Sequence, residues 1–391
     1  MKKIIIVLIS IIAFHTILYA QNNIDSVLAQ IERNNTTLSA LQKRAEADKI
    51  GNKTGNYLQN PEIVFNYLWG NDVTGNRTDL SAKQAFDFPT AYSHKIQISE
   101  IKNEQVELEY QKQRKELLLN ARLICFDLIY TNALKLELTN RLNHAKTIAD
   151  AYKSKFDIGE TNILEYNKAQ LNLLNLSKAM ESLTIEQEAL LAELTRLNGG
   201  VPVNLTENEF QVIVLTTDFE QWYIQAEQIN PLLNWLKKEV ELTQKQISLN
   251  KALSMPKFQA GYMSESLIGQ DFKGITVGLS IPLWENKNTV KYAKANALAL
   301  ENTAADNKIQ LYSHLKMLHT KAISLQKSAN DYKLKLEEFN NSELLRKALD
   351  KGEISLINYM LELSIYYESV NNLLELERDM SKTIAELNQY L

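Results

Sequence analysis

The side chains able to do chemistry are few and irregularly spaced. Five histidines occur in 391 residues, and a metal pair on a helix needs two ligands three or four residues apart on one face. His314, Met317 and His319 lie close together, but the two histidines are five apart and do not share a face. His94 and His144 are isolated, and His15 falls in an N-terminal apolar run. No glycine loop suited to phosphate and no nucleophile elbow is present. Carboxylates are plentiful but alternate with Lys and Arg, as on a solvated coiled-coil face. The expectation is therefore a non-enzymatic chain with no catalytic residue, no cofactor and no metal.

The remaining reactive side chain, Cys125, is the only cysteine. It sits in the apolar stretch 123–129, where a small buried thiol is the ordinary reading, and it cannot form a disulfide within the chain. The net charge of -4 and pI near 5.9 give no basic excess, so nucleic acid is not an expected partner.

With no site to hold, the elements themselves carry the information. Only 12 Gly and 6 Pro punctuate the chain, so the elements between them must be long, and long elements rich in strong helix formers are helices. Residues 1–20 form a separate object. Lys2 and Lys3 precede the apolar run 4–18, and Leu18-Tyr19-Ala20 offers a small residue for cleavage. This is the pattern of a secretory signal, and the run is short for the roughly 20 residues of a spanning helix. The mature chain is expected to begin near Gln21, without a lipidated N-terminal cysteine.

Compared with itself, the mature chain repeats. Asn60-Pro61-Glu62 has a counterpart in Met255-Pro256-Lys257, Phe88-Pro89 in Ile281-Pro282, and Asp157-Ile158-Gly159-Glu160 in Asp350-Lys351-Gly352-Glu353. The offsets of 195, 193 and 193 residues are what a duplicated unit gives. The first repeat covers 21–205, with strands at about 62–70 and 79–88, a long helix at about 90–157 and a return helix at about 162–197. The second covers 206–391, with strands at about 257–265 and 272–281, a long helix at about 284–351 and a return helix at about 355–388. Each repeat opens with a helix, 24–57 or 219–253, and each long helix is expected to reach roughly 100 Å.

The last strand alternates cleanly. Ile275, Val277, Leu279 and Ile281 share one face, and Gly274, Thr276, Gly278 and Ser280 the other. Such a strand suits any half-buried antiparallel sheet, and it equally suits a lipid-facing barrel wall, apolar outside and polar inside. In the second case four strands cannot close, and identical neighbours must complete the barrel. Leu311, Leu315, Leu318, Ala322 and Leu325 step by fours and threes on the second long helix, as Ala169, Leu173, Leu176 and Met180 do on the first return helix. These seams fit a bundle core or a longer coiled-coil wall.

The stretch Tyr152, then Gly159-Glu160-Thr161-Asn162-Ile163-Leu164-Glu165-Tyr166-Asn167-Lys168-Ala169-Gln170, resembles the hairpin signature of the TolC family of outer-membrane efflux proteins. Its second copy is Ala348, then Gly352-Glu353-Ile354-Ser355-Leu356-Ile357-Asn358. The Phe88-Pro89-Thr90 and Ile281-Pro282-Leu283-Trp284 junctions are similar to the family's strand-to-helix corners, and the likeness covers the whole mature chain.

The resemblance implies a mainly α fold with a small β part, a TolC-like α-barrel and β-barrel closed only in a homotrimer. It implies location in the cell outer membrane, with the helical part in the periplasm. The implied partners are outer-membrane lipid, a periplasmic adaptor (membrane fusion) protein and an inner-membrane pump, of RND type. The implied function is a passive conduit of a tripartite efflux system for small toxic compounds or metal cations. A channel for type I protein secretion is an alternative within the family, and a soluble periplasmic coiled-coil scaffold is one outside it. Ile158, Gly159, Glu160, Thr161, Lys351, Gly352, Glu353 and Ile354 would form the adaptor-docking tip, or be turn residues without a partner. Thr161 or Asn162 is expected to cap the first return helix. The family's aspartate ring on the second hairpin is replaced here by Asn358 and Leu361. The gate candidates are these two with Glu362, beside Leu361, and Glu165, the counterpart of Asn358 in the first hairpin.

Overall fold

A computed structural model describes residues 23–391 except 74, 212 and 214. The signal-peptide reading of 1–20 lies outside the described residues. The chain runs α1 (Asn23–Asn34), α2 (Thr36–Gly51), β1 (Glu62–Leu68), β2 (Arg77–Phe86), α3 (Pro89–Asp157), α4 (Ile163–Leu197), α5 (Phe219–Ile229), α6 (Pro231–Leu253), β3 (Lys257–Leu267), β4 (Gln270–Ser280), α7 (Thr289–Glu338), α8 (Ser342–Asp350) and α9 (Leu356–Leu387). It is mostly helical, with a small open antiparallel sheet. At 69 residues, α3 rises about 100 Å.

Two corrections to the sequence expectations concern helix continuity. The openers expected at 24–57 and 219–253 are each broken, at Asn35 and Asn230, two positions 195 residues apart. Asn35 is buried. Its side chain accepts from the Leu38 N–H at 2.8 Å and donates to the Leu197 carbonyl at 2.7 Å. Asn230, also buried, accepts from the N–H groups of Leu232 (2.9 Å) and Leu233 (3.1 Å), with Pro231 at the first helical position. In both, a short side chain satisfies helix N-terminal donors that would otherwise be orphaned in a dry place.

The second long helix, expected at 284–351, starts later and is interrupted. Residues 284–288 form turns, with Asn288 in the left-handed region at φ 68. After Glu338 the helix stops, because the Asn340 side chain accepts from both Ser342 N (3.2 Å) and Ser342 Oγ (2.7 Å). Local side-chain bonds of this kind compete with the helical ladder. Its first-repeat counterpart, α3, is unbroken.

The chain forms two compact units, and neither is a single repeat. The first comprises residues 23–39, 114–225 and 313–391; the second comprises 40–113 and 226–312. In the first unit, Val27, Ile31, Leu128, Leu194 and Cys125 form a dry core, and burial pushes the Cys125 thiol up to about 12. The segment between α4 and α5 runs across it, held by Asn132 on the carbonyls of Leu205 and Glu207 and by Gln326 on that of Ile213. His319, buried, bonds the Thr216 carbonyl at 2.7 Å and packs on Phe219. In the second unit, Ala91, Ile98, Leu249 and Ala252 form one cluster and Ile247, Ala293 and Ala297 another.

The sheet, in the second unit, has the order β1-β2-β3-β4. Two hairpins meet along β2 and β3, with Ala82 opposite Tyr262 and Phe86 opposite Phe258.

Asn230→Ala removes a buried double cap and is expected to cost about 1–2 kcal/mol. The measurement is the loss of helical circular dichroism on heating; a midpoint equal to wild type would show that the break needs no cap.

Candidate functional site

Two regions hold the residues singled out in the sequence: the hairpin ends, in the first unit, and the sheet, in the second. At the first hairpin end, Gly159 N–H donates to Phe156 O at 3.1 Å and Glu160 N–H to Lys155 O at 2.8 Å. At the second, Gly352 N–H donates to Leu349 O at 3.0 Å and Glu353 N–H to Ala348 O at 2.9 Å. Both are Schellman turns, which close a helix by seating a left-handed residue just past its end. The two glycines have φ of 80 and 74. A Cβ at either would meet nothing within 4 Å, so backbone conformation rather than crowding calls for glycine.

The next helix starts on a side-chain cap in both copies. Asn162 Oδ1 accepts from Glu165 N at 3.0 Å, and Ser355 Oγ from Asn358 N at 3.3 Å. Of the two capping candidates, Asn162 makes the bond. Ile158 and Leu164 are exposed at the first end, while Ile354 is partly buried against the cluster of Leu356, Tyr359 and Leu363. Among the gate candidates, Glu165 pairs with Lys168 at 2.8 Å. Asn358, Leu361 and Glu362 are exposed, and no bond joins one gate candidate to another among the described residues.

Sequence reasoning missed the polar groups behind the tip. Tyr359 is fully buried in a cluster with Ala149, Ala169 and Leu356, and its hydroxyl lies 2.8 Å from His144 Nε2. Two turns along α9, Tyr367 accepts at its carbonyl from buried Arg141 at 3.3 Å, and the guanidinium stacks 4.4 Å from its ring centre. Burial pushes the Arg141 pKa down. The available signal was spacing: His144, Ile148 and Tyr152 step by four, which puts His144 on the packed face of α3.

Register assigns the faces of the sheet. One carries Ile63, Phe65, Tyr67, Leu80, Phe86, Phe258, Tyr262, Ile275, Val277 and Leu279, with Thr78, Gln84, Ser264, Ser266, Asp271 and Lys273 between them. The opposite face carries Glu62, Lys83, Asn66, Asp79, Arg77, Glu265, Gln259 and glycines, with Val64, Leu68, Met263, Leu267 and Phe272 among them. On that side Arg77 pairs with Asp79 at 2.8 Å and with Glu265 at 3.0 Å. The apolar residues of β4 are uncovered: Ile275 is 84% exposed, Val277 80% and Leu279 58%, and Ile281 just beyond is 60% exposed. The outer edges of β1 and β4 have no strand neighbour among the described residues.

Solved structures share this fold. The chain superimposes on the CmeC outer-membrane channel of Campylobacter jejuni with a TM-score of 0.76 at 14% identity, over 94% of this chain and 85% of that one. CusC, described in the context of transmembrane channel formation, gives 0.78 at 13%, over 95% and 92%. The outer-membrane channel OprN gives 0.77 at 13%, over 94% and 89%. No protein-family model matches the sequence, and no curated protein does.

The fold is that of outer-membrane channels. It is the fold that the TolC-family resemblance implies. Among the described residues, no group of three or more His, Cys, Asp or Glu is placed to hold a metal ion.

Gly352→Val forces a β-branched residue into the left-handed region, at a cost of about 1–2 kcal/mol. Amide exchange around 349–356 is expected to quicken while the sheet amides keep wild-type rates, and Gly352→Asn is expected to fall between the two. Equal exchange in Val, Asn and wild type would mean that the turn does not depend on glycine.

Proposed function

We propose that the chain is a subunit of an outer-membrane channel for efflux, a passive conduit that serves a periplasmic adaptor and an inner-membrane pump. The observation that carries this reading is the sheet: a face whose apolar row on β4 is uncovered, a second face that holds the ion pairs, and two edge strands without strand partners among the described residues. In lipid, no water satisfies an open edge, so such a sheet must close. Three copies of a four-stranded sheet would supply twelve strands, and C-type symmetry would place β1 of one copy beside β4 of the next. The strands of 7 to 11 residues are close to the roughly 9–11 needed for a tilted crossing.

In this assembly Ile275, Val277, Leu279 and Ile281 face lipid, and the Arg77, Asp79 and Glu265 side faces the wet lumen. The two hairpin ends, Ile158 to Thr161 and Lys351 to Ile354, meet the adaptor in the periplasm, and Glu165, Asn358, Leu361 and Glu362 line the narrow end. The pump is an RND-type transporter, and the cargo is small toxic compounds or metal cations. A soluble periplasmic scaffold accounts less well for the same sheet, because it would cover the β4 apolar row with its own helices, and that row is exposed.

Val277→Arg is expected to cost about 2–4 kcal/mol if the residue faces the bilayer midplane, and so to deplete assembled trimers in outer-membrane extracts. Gly159→Val with Gly352→Val is expected to leave trimers intact and to abolish export, read as drug or metal tolerance. A wild-type chain that is monomeric and soluble without detergent would exclude the channel.

A further inference from the structure

The outward apolar residues do not run straight across the sheet. A row perpendicular to the strands joins Tyr67, Thr78, Ser266 and Asp271, and the next joins Phe65, Leu80, Ser264 and Lys273. On β1 the apolar series therefore reaches the turn end, with exposed Trp69 just past the strand. On β4 the turn end of the same face is Asp271 and Lys273, and the apolar series starts at Ile275. A belt running from the base of β4 to the turn end of β1 lies level only when the strands lean.

We infer that, in the channel assembly, β1 of one copy pairs antiparallel with β4 of the next in one register, which sets the neighbour's Phe65 opposite Leu279 and its Tyr67 opposite Val277. The inference rests on the channel reading and adds the register to it.

Three constraints meet in this register. The outward residues are odd-numbered on both strands, so only even offsets keep the two rows on one face. The second constraint is tilt. A straight row across the copy leads from Tyr67 to Asp271, and the neighbour's Tyr67 then sits beside Val277, six residues nearer the base. Six residues of about 3.3 Å over four strand spacings of about 4.8 Å make an inclination of about 45°, the value of a strand crossing a bilayer. An offset of eight leans the strands by about 54°, outside the roughly 35–45° of membrane barrels. An offset of four, about 35°, is set apart by the third constraint, polarity: it places Trp69 against Lys273 and leaves Ile281 beside Pro61. At six, Ile63 meets Ile281 and Trp69 meets Ile275, and the first polar residues beyond the belt, Asn71 and Lys273, share a level. The apolar rows of the two copies then start and stop together.

The test is disulfide trapping in outer membranes that carry the full-length protein. Within one chain β2 and β3 hold β1 and β4 about 14 Å apart, so a bond between those strands joins two copies. The native Cys125 is buried and stays a bystander. Opposed residues have Cα atoms about 4.5–5.5 Å apart, within disulfide reach, and diagonal ones lie about 7–8 Å apart, beyond it. With copper phenanthroline and air as oxidant, Phe65→Cys with Leu279→Cys is expected to give covalent trimers on non-reducing gels. Phe65→Cys with Val277→Cys or with Ile281→Cys is expected to give at least about tenfold less. Val64→Cys with Ser280→Cys reads the same register on the other face through smaller changes, and so stands in where the first pair fails to assemble. Trapping through Val277 or Ile281 in place of Leu279 overturns the register and keeps the channel, because β1 and β4 still meet. No trapping by any pair, in protein recovered from the membrane at the wild-type level, removes the closed barrel and the register with it.

Discussion

A strand edge that cannot be left open governs what this chain can be. Each residue on the free side of β1 and of β4 presents an N–H or C=O that water can satisfy and hydrocarbon cannot. Beside those edges the same strands display Ile63, Phe65, Val277 and Ile275 to the outside. A soluble protein would bury such a face against a helix and leave the edges wet. Here the face is bare, so in the proposed channel covering it with lipid and pairing the edges with neighbouring sheets become a single requirement. The ion pairs obey the same sidedness. Arg77, Asp79 and Glu265 lie on the opposite face, where water makes them inexpensive and only weakly stabilising.

The two halves of the chain match at their turns and differ in their long helices. Gly159 and Gly352 close their helices with matching pairs of hydrogen bonds, and Asn162 and Ser355 restart the chain from equivalent positions. Asn35 and Asn230 likewise break both openers at equivalent places. The copies part at the long helix, which is continuous in the first repeat and interrupted at 339–341 in the second. The first half thus carries a continuous long helix and the second an interrupted one.

Much of the fold class was legible because its causes are local. Scarce Gly and Pro over 391 residues leave long helices as the only economical filling, and a glycine at a helix end prescribes its own left-handed turn. The helix breaks were not legible because their causes are distant. Asn35 looks like any polar residue in a helix until its amide finds the Leu197 carbonyl, 162 positions away. The same holds at the tip. His144 read as isolated, since its partner Tyr359 comes 215 residues later, and the exposed or buried standing of Ile354 depends on a cluster drawn from both repeats. Nor do the compact units coincide with the duplication, because packing joins segments of both copies.

Within the first unit, two of the core clusters are built from different materials. The cluster around Ile31, Leu128 and Leu194 is wholly apolar at its centre, and its cohesion depends on neither pH nor any single hydrogen bond. The cluster behind the hairpin ends has a tyrosine hydroxyl at its centre instead, with a histidine and, nearby, an arginine whose Nε finds no partner. A buried hydroxyl that loses its partner costs free energy that a leucine in the same place would not. Local opening is easiest where cohesion depends on a few such groups and the neighbouring backbone is already interrupted. Placing those groups at the hairpin ends, and hydrocarbon in the larger core, confines any loosening to the hairpin ends.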